Sequence, residues 1–594
     1  MMRFCAVSAM KKLFIKITDK AVDAAKVFGA FFQRWLEKCP ALALFCVAAF
    51  LNYVLECLSR RSLFEIFSVL VKDPATVFLN IAVIMLTLSV SMLLRQKTVM
   101  IGVVSVLWIA FGIANFVVLS YRASPLTAID LVLIRSVFSV LYIYFRPIEL
   151  VLLALGILAV IALLVWLWRK VPRVKVRPAR AVAAILCALL PFAALSPVVK
   201  ADATDVNFSN MHQSYGENGF AYSFCTTFFD KGIEEPEDYD ESTVSALYWT
   251  LNEKEKTDTP ELLPNIIFVQ LETYFDPARL AGVEYSEDPV PVFTYLKENY
   301  PHGILTVPVL GAGTANTEFE VLCSISTSLF GAGEYPYDTI MKDKFCENSA
   351  SVLKKYGYRA TAIHNNAAGF YDRDEIFDNM GFDDFLSLED MPNAVQNPLG
   401  WAEDAVLEES TLQALNATDE RDFVYVISVQ PHGKYLDEEK MGTDGRIKAY
   451  NIPDPEEQVG FEYYLDQLYQ TDAFVGELIS ELESRGEPTV CVFFGDHLPS
   501  FNWTDEDLNL GTLYDTEYVI WSNFGLEAEA PDLTSYELSS HIFNVLGLDS
   551  GTAARLYGLY GESESYLEHM ELIAYDMLYG ENAVPAKNAR RQAD

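Results

Sequence analysis

The hydrophobic positions divide the chain into two parts. Before residue 200, five apolar stretches of about 18 to 23 residues carry almost no charge. A helix of roughly 20 residues crosses a hydrocarbon core of about 30 Å, so each stretch is long enough to span a bilayer. Buried helices of a soluble protein would show charged faces at helical spacing, which these stretches lack. The predicted spans are Ala41–Leu58, Thr76–Leu94, Val99–Tyr121, Ile148–Trp168 and Ala181–Val199.

From residue 264, short apolar runs alternate with amphipathic stretches. Continuous apolar strands alternating with helices predict an α/β domain with a largely parallel central sheet. The predicted strands are Asn265–Leu271, Arg359–Ile363, Phe423–Val429, Thr489–Phe494 and Tyr518–Trp521. The predicted helices include Thr317–Leu329, Ser349–Tyr356, Gly460–Ser484 and Tyr536–Leu546. We therefore expect a five-helix membrane anchor over 1–200, a polar linker over 201–260, an α/β domain over 261–560 and a C-terminal tail over 561–594.

Charge separates the same two parts of the 594-residue chain, whose net charge is -37. Residues 1–200 hold 23 Lys and Arg against 8 Asp and Glu, a net charge of +15, and the remainder carries -52. The acidic part lacks the clustered cations that bind phosphate backbones, so we expect no nucleic-acid partner. Nine cysteines without a CxxC pair argue against a structural zinc site. A disulfide between Cys323 and Cys346 is an open alternative if this part is exported.

Basic connections predict the orientation of the anchor. Lys and Arg concentrate in the N-terminal segment and in the connections between spans two and three and between spans four and five. Such loops stay cytoplasmic, which places the N-terminus inside the cell and the α/β domain outside the cell membrane. Segment 122–146 is too charged to span and is expected on the outer face, as an interfacial helix or a plain connector. Ala201-Asp202-Ala203 matches the A-x-A pattern at which a signal peptidase would shed the domain.

Polar residues follow four of the predicted strands. Glu272, His364 and His432 each come at or shortly after a strand end, and Asp496 and His497 follow the fourth. Function in parallel α/β sheets gathers at the carboxyl ends of the strands, so we expect these side chains along one edge. Carboxylates and imidazoles suit a metal or acid–base site. Taken singly, each also has a structural interpretation, such as a helix cap or an ion-pair partner.

Thr314 follows a Gly-rich turn and precedes a helical pattern in GAGTANTEFE. A hydroxyl at this position is normally a helix cap. The same position directs backbone N–H groups and the positive helix end at an incoming anion. A cation touching the hydroxyl would lower its pKa and make it a nucleophile. The two roles exclude each other for one side chain, and Asn316 or Thr317 could cap instead.

The series NIIFVQLET, GTANTEFE, HNNAAGFYDRDEIF, SVQPH and FFGDH resembles, in order and spacing, the motifs of the lipoteichoic acid synthase family. That family is a branch of the sulfatase and alkaline phosphatase superfamily, and the resemblance covers about residues 264 to 546. It implies a cofactor, Mn²⁺ or in places Mg²⁺. The metal ligands that it implies are Glu272, Thr314, Asp496 and His497, with Thr314 also the catalytic nucleophile.

The resemblance also implies a pocket for the substrate headgroup, with a bidentate contact from an arginine to phosphate and hydrogen bonds from two histidines. The implied residues are His364, Tyr371, Arg373 and His432. The family commonly carries Trp where this chain has Tyr371. Asp404 either orients a neighbour or is an ordinary carboxylate at a helix start.

The implied activity is that of a phosphotransferase. Glycerol phosphate would pass from phosphatidylglycerol, a membrane phospholipid, through a phospho-threonine intermediate to a growing polyglycerolphosphate chain, the anionic polymer lipoteichoic acid, or to a glycolipid. A phosphoglycerol or phosphoethanolamine transferase with a glycan or lipid acceptor stays open, as does a non-catalytic binding module. A sulfatase is disfavoured, because Cys323 in CSISTS lacks the Pro and Arg of the formylglycine context. The oligomeric state is also open.

Overall fold

The structure is a computed structural model that describes residues 31–119, 124–132, 147–171, 173–202, 211–229, 231–253, 260–331, 333–433, 435 and 446–580. The described residues form two compact units, one helical and one built on a sheet. The basic segment before residue 31 lies outside the described residues, as do Ala203 and most of segment 122–146.

Five helices of the first unit are long and apolar enough to cross a membrane, as in a multi-pass membrane protein. They are Pro40–Ser59, Pro74–Leu93, Lys97–Val118, Pro147–Lys170 and Pro178–Pro197, the last continuing helically to Asp202. Within the residues that the structure describes, each of the five predicted spans is confirmed as a helix. Proline suits the start of a helix because the first-turn N–H groups have no helical partner.

Two short helices also belong to the first unit, although they fall inside the segment interpreted as a linker. Their bounds are Met211–Asn218 and Phe220–Thr226. Buried polar side chains of the spans hold them: Asn80 Nδ2 donates to Asn218 O at 2.7 Å, and Glu56 Oε1 accepts from Phe220 N at 2.9 Å. Buried polar atoms need partners, so these bonds hold the two short helices against the first and second spans.

Among the described residues, the second unit contains ten strands. They are β1 Asn265–Leu271, β2 Glu284–Tyr285, β3 His302–Thr306, β4 Tyr358–His364, β5 Asp384–Leu386, β6 Arg421–Ile427, β7 Ala449–Tyr450, β8 Thr489–Gly495, β9 Asp515–Ser522 and β10 Leu533–Thr534. Eight of them form one sheet in the order β10-β3-β9-β8-β1-β6-β4-β5, and β2 pairs with β7. Within the sheet only β9 runs antiparallel to its neighbours, so the predicted largely parallel sheet is confirmed.

Helices cover both faces of this sheet. Their bounds are Glu241–Asn252, Pro291–Asn299, Thr314–Cys323, Ser349–Leu353, Arg373–Met380, Val406–Leu415, Gln458–Arg485, Ser535–Val545, Thr552–Tyr560 and Tyr566–Leu578. Alternate residues of β1 point to opposite faces. Val269 packs in a core that includes Leu465 of the long helix, whereas the Phe268 ring lies 6.4 Å from that of Phe543.

Two details differ from the sequence interpretation. The helix expected over Thr317–Leu329 begins at Thr314 and ends at Cys323, because Ser324 adopts a left-handed φ of 54°. The segment interpreted as a tail contains the helix Tyr566–Leu578, whose Met570 and Ile573 are buried. Cys323 and Cys346 are both buried, and both are free thiols.

Residues 124–132, from the connection between spans three and four, belong to the second unit. Ala128 N donates to Thr227 Oγ1 at 2.9 Å, and Thr127 N donates to Asp130 Oδ2 at 2.7 Å. This short stretch therefore belongs to the unit that contains the sheet.

Candidate active site

Glu272, Asp496 and His497 lie together at the carboxyl ends of two neighbouring strands. Glu272 follows β1 and the other two follow β8, which pairs with β1 in parallel. One ligand atom from each residue lies within 4.8 Å of the others. His497 Nε2 is 3.7 Å from Glu272 Oε1 and 3.5 Å from Asp496 Oδ2. All three side chains are at most 2% exposed.

Gly495 makes this convergence possible. A Cβ at this position would lie 1.9 Å from Tyr274 O, so a larger residue would push the two strand ends apart. Two hydrogen bonds lock the ends: Asp496 N donates to Leu271 O at 3.1 Å, and Thr273 N donates to Asp496 Oδ1 at 2.8 Å. The position of the Asp496 carboxylate is therefore set by the backbone.

The three facing atoms fit a divalent cation. Glu272 Oε1, Asp496 Oδ2 and His497 Nε2 are buried without a hydrogen-bond partner among the described residues. His497 Nδ1 donates to Leu498 O at 3.0 Å, so the imidazole presents an Nε2 lone pair. Converging buried lone pairs are unfavourable unless a cation lies between them. Burial and then the Asp496 carboxylate raise the pKa of Glu272 well above its ordinary value, which marks the same missing positive charge.

Thr314 is the first residue of its helix and faces this cluster. Its Oγ1 donates to Glu272 Oε2 at 3.2 Å, and its carbonyl accepts from Gln270 Nε2 at 3.1 Å. Gly313, with φ of 110°, is the N-cap residue and makes no side-chain cap. Thr317 Oγ1 donates instead to Asp496 O at 2.8 Å. The Thr314 hydroxyl is thus not used as a cap and lies at the positive end of a helix.

His364 is the last residue of β4, and His432 lies in the loop that follows β6, the strand between β4 and β1. His364 Nδ1 donates to Ile427 O at 3.0 Å, and His432 Nδ1 donates to Gly433 O. Burial lowers the pKa of both imidazoles, well below the ordinary value for His364, where Arg373 adds to the effect. Both rings are therefore neutral and present Nε2 as an acceptor. In this tautomer Nε2 can accept from a hydroxyl, and hydrogen bonds from the two histidines to a phosphate stay a prediction.

Tyr371 and Arg373 lie at the start of the helix Arg373–Met380. Tyr371 has a left-handed φ of 59°, and its ring lies 5.4 Å from the Tyr335 ring. Arg373 is 0% exposed, and its Nη2 donates to Glu318 Oε2 at 2.9 Å. The guanidinium thus already has a carboxylate partner. A direct contact between Arg373 and a phosphate stays a prediction.

Asp404 orients its neighbours. Its Oδ1 accepts from Asn365 Nδ2 at 2.8 Å and from Gln430 N at 3.1 Å, and its Oδ2 accepts from Thr471 Oγ1 at 2.7 Å. These bonds fix the residue after His364 and the loop that leads to His432.

Sequence reasoning missed Glu318 and Trp401. The Trp401 ring packs 4.5 Å from His432. Glu318 lies one helical turn after Thr314, and this spacing could have predicted that both side chains lie on the same side of the helix.

Residues 264–548 match the Sulfatase family. This part of the chain is therefore similar to sulfatase domains. The resemblance to the sulfatase and alkaline phosphatase superfamily is therefore confirmed. One curated relative, 25% identical over 376 residues, is a putative cyclic beta-1,2-glucan modification protein of Rhizobium meliloti; the match covers 60% of this chain and 57% of the relative. Another, 24% identical over 241 residues, is the lipoteichoic acid synthase-like YvgJ of Bacillus subtilis; the match covers 39% of this chain and 36% of the relative.

The chain thus spans between about a third and three fifths of the length of these relatives. Among solved structures, the phosphoglycerol transferase GacH of Streptococcus pyogenes, in complex with sn-glycerol-1-phosphate, superposes with a TM-score of 0.53 at 23% identity. The match covers 60% of this chain and 98% of GacH. At this identity the similarity shows the fold of the sheet unit.

Proposed function

We propose that this protein is a metal-dependent phosphotransferase that moves a phosphoglycerol group from a membrane phospholipid to an acceptor hydroxyl. The observation that carries the proposal is the position of Thr314 Oγ1, hydrogen-bonded to Glu272, beside three buried ligand atoms that lack partners. A binding module would gain nothing from leaving such atoms unpaired, which is costly. A nucleophile beside a cation site is what covalent phosphoryl transfer requires.

Glu272, Asp496, His497 and Thr314 would hold the ion, Mn²⁺ or Mg²⁺, which would neutralise charge on the phosphate oxygens. Thr314 Oγ1 attacks the phosphorus of the lipid headgroup, and its proton already has an acceptor in Glu272 Oε2. The bond between phosphorus and the diacylglycerol oxygen breaks, and diacylglycerol leaves with a proton. The start of the Thr314 helix stabilises the anion.

In the second step an acceptor hydroxyl attacks the phosphorus on Thr314, which restores the threonine and forms a new phosphodiester. The Nε2 atoms of His364 and His432 accept hydrogen bonds, so hydroxyls of glycerol or of the acceptor are suitable partners for them. Five membrane spans keep the site near lipid, which raises the effective concentration of a phospholipid substrate. The basic connections support an extracytoplasmic site.

The substrate that we propose is phosphatidylglycerol, and the acceptor is a glycerophosphate polymer such as lipoteichoic acid, or a glycolipid. The GacH name supports a phosphoglycerol group, the YvgJ name supports lipoteichoic acid as the polymer, and the glucan-modification name supports a glycan as an alternative acceptor. Tyr371, where the resembled family commonly has Trp, would supply an aromatic ring that lines the headgroup pocket.

The test uses full-length protein purified in detergent, with Mn²⁺ and labelled phosphatidylglycerol. Thr314→Ala removes the nucleophile, whereas the control Thr314→Ser keeps a hydroxyl in place. We expect diacylglycerol release by the wild type and by Thr314→Ser, none by Thr314→Ala, and a glycerophosphoryl mass increase on the peptide that contains Thr314. Release by both wild type and Thr314→Ala, or by neither, refutes the mechanism. Release from phosphatidylethanolamine in a parallel incubation, but not from phosphatidylglycerol, reassigns the headgroup.

A further inference from the structure

Glu318 and Arg373 form an ion pair that is closed to solvent. Both side chains are 0% exposed. Nε and Nη2 of Arg373 donate to Glu318 Oε2 at 3.1 and 2.9 Å. Burying two opposite charges adds little net stability, because the loss of hydration offsets their attraction. The pair therefore needs an explanation other than stability.

Each partner lies beside a different part of the candidate site. Glu318 is four residues after Thr314 in the helix Thr314–Cys323, hence on the same side of that helix. Arg373 begins the helix Arg373–Met380, directly after Tyr371 and Asp372. The ion pair thus connects the helix that begins at Thr314 to the turn that contains Tyr371.

That turn is strained and is held by the guanidinium. Tyr371 and Asp372 both have left-handed backbones, with φ of 59° and 50°, a conformation that is strained for residues other than glycine. Arg373 Nη1 donates to Phe370 O at 3.3 Å, and Arg373 Cζ lies 5.2 Å from the centre of the Tyr371 ring. Strained residues persist only where their surroundings determine them.

We infer that Glu318 is a positioning residue, which acts through Arg373 to fix the Phe370–Asp372 turn, and with it the Tyr371 ring, at a set distance from Thr314. The importance of Glu318 for turnover rests on the proposed function. The effect of Glu318 on the Phe370–Asp372 turn does not rest on it, so the positioning role and the proposed function can be tested separately.

Glu320 provides a matched control. It lies two residues further along the same helix and is 2% exposed. Its Oε1 accepts from Thr327 N at 2.6 Å and from Thr327 Oγ1 at 2.8 Å, and its Oε2 accepts from Ser535 Oγ. Its carboxylate is thus bound away from Arg373, so Glu320→Gln changes a buried carboxylate on the same helix and leaves the turn intact.

The experiment is a double-mutant cycle in the full-length protein, with Glu318→Gln, Arg373→Gln and their combination. In the wild-type background, Glu318→Gln should lower kcat/KM for diacylglycerol release about ten-fold or more. In the Arg373→Gln background, the same substitution should lower kcat/KM less than about three-fold, because the partner of Glu318 is already absent. Glu320→Gln should change it less than about three-fold, and Mn²⁺ affinity by titration should be unchanged in all variants. Independent effects of Glu318→Gln and Arg373→Gln, or an equal loss in Glu320→Gln, overturn the inference.

Hydrogen exchange of the 366–374 backbone is the second measurement. It should be faster in Glu318→Gln and unchanged in Glu320→Gln, and equal exchange in all variants also overturns the inference. If the wild type shows no diacylglycerol release, the proposed function fails, and hydrogen exchange still decides the role of Glu318. Should Glu318→Gln not fold, Glu318→Asp takes its place, because it keeps the charge on a shorter side chain.

Discussion

Replacing Glu272 by Gln should have two opposite effects on stability, depending on whether a divalent cation is present. The facing oxygens of Glu272 and Asp496 are at most 4.8 Å apart. Two unit charges at that distance repel by about 3.5 kcal/mol at an effective dielectric constant near 20. The raised pKa of metal-free Glu272 lets a proton relieve this repulsion at lower pH, so the two charges oppose each other only at alkaline pH. Glu272→Gln removes the repulsion without a proton, so at alkaline pH the metal-free variant should melt at a higher temperature than the metal-free wild type.

Mn²⁺ should reverse the order of the two melting temperatures, so that the wild type melts above Glu272→Gln. A ligand at about 100 times its Kd stabilises the folded state by about 2.7 kcal/mol, which corresponds to a rise of roughly 5 °C for a domain of this size. The wild type should show this rise with Mn²⁺, and Glu272→Gln should show little of it. The assay is thermal unfolding of the detergent-solubilised protein, treated with chelator and then supplied with Mn²⁺. The control Glu320→Gln should keep the full rise. A wild type that does not respond to Mn²⁺, or a Glu272→Gln variant that responds fully, would refute the assignment of the metal site.

Two further outcomes test the geometry of the site. Gly495→Ala should abolish Mn²⁺ binding measured by calorimetry, because its Cβ would collide with Tyr274 O. The control Gly558→Ala should bind Mn²⁺ normally, because no atom lies within 4 Å of the Cβ that it adds. The kcat/KM for diacylglycerol release should stay constant as the pH falls through 6.5. Burial keeps the pKa of His364 well below that value, so its Nε2 becomes protonated only at lower pH. A pH profile of kcat/KM with a midpoint near 6.5 that disappears in His364→Gln would contradict the neutral tautomer.

The central strands were predictable because both of their faces are buried, which produces unbroken apolar runs such as Asn265–Leu271. The edge strands β5 and β10 and their short neighbour β3 were not, since all three are short and, like His302–Thr306, partly exposed. Residues at strand ends could be placed together because topology alone brings parallel strand ends to one edge.

Contacts made between distant elements could not be derived from the chain in this way. The pairing of Glu318 with Arg373 joins residues 55 positions apart on separate helices. The tautomer of His364 depends on the Ile427 carbonyl of the neighbouring strand. No local pattern of residues encodes either contact.

The hydrogen bond between Thr273 and Asp496 closes a chain separation of 223 positions. The cation site therefore comes into existence only when β8, late in the chain, has docked beside β1. On the proposed function, a divalent cation would therefore bind only after β1 and β8 have paired and would not act as a nucleus for folding. The ion bound there would then be the one available in the compartment where folding ends, since availability and ligand type, more than intrinsic affinity order, decide which metal a protein acquires.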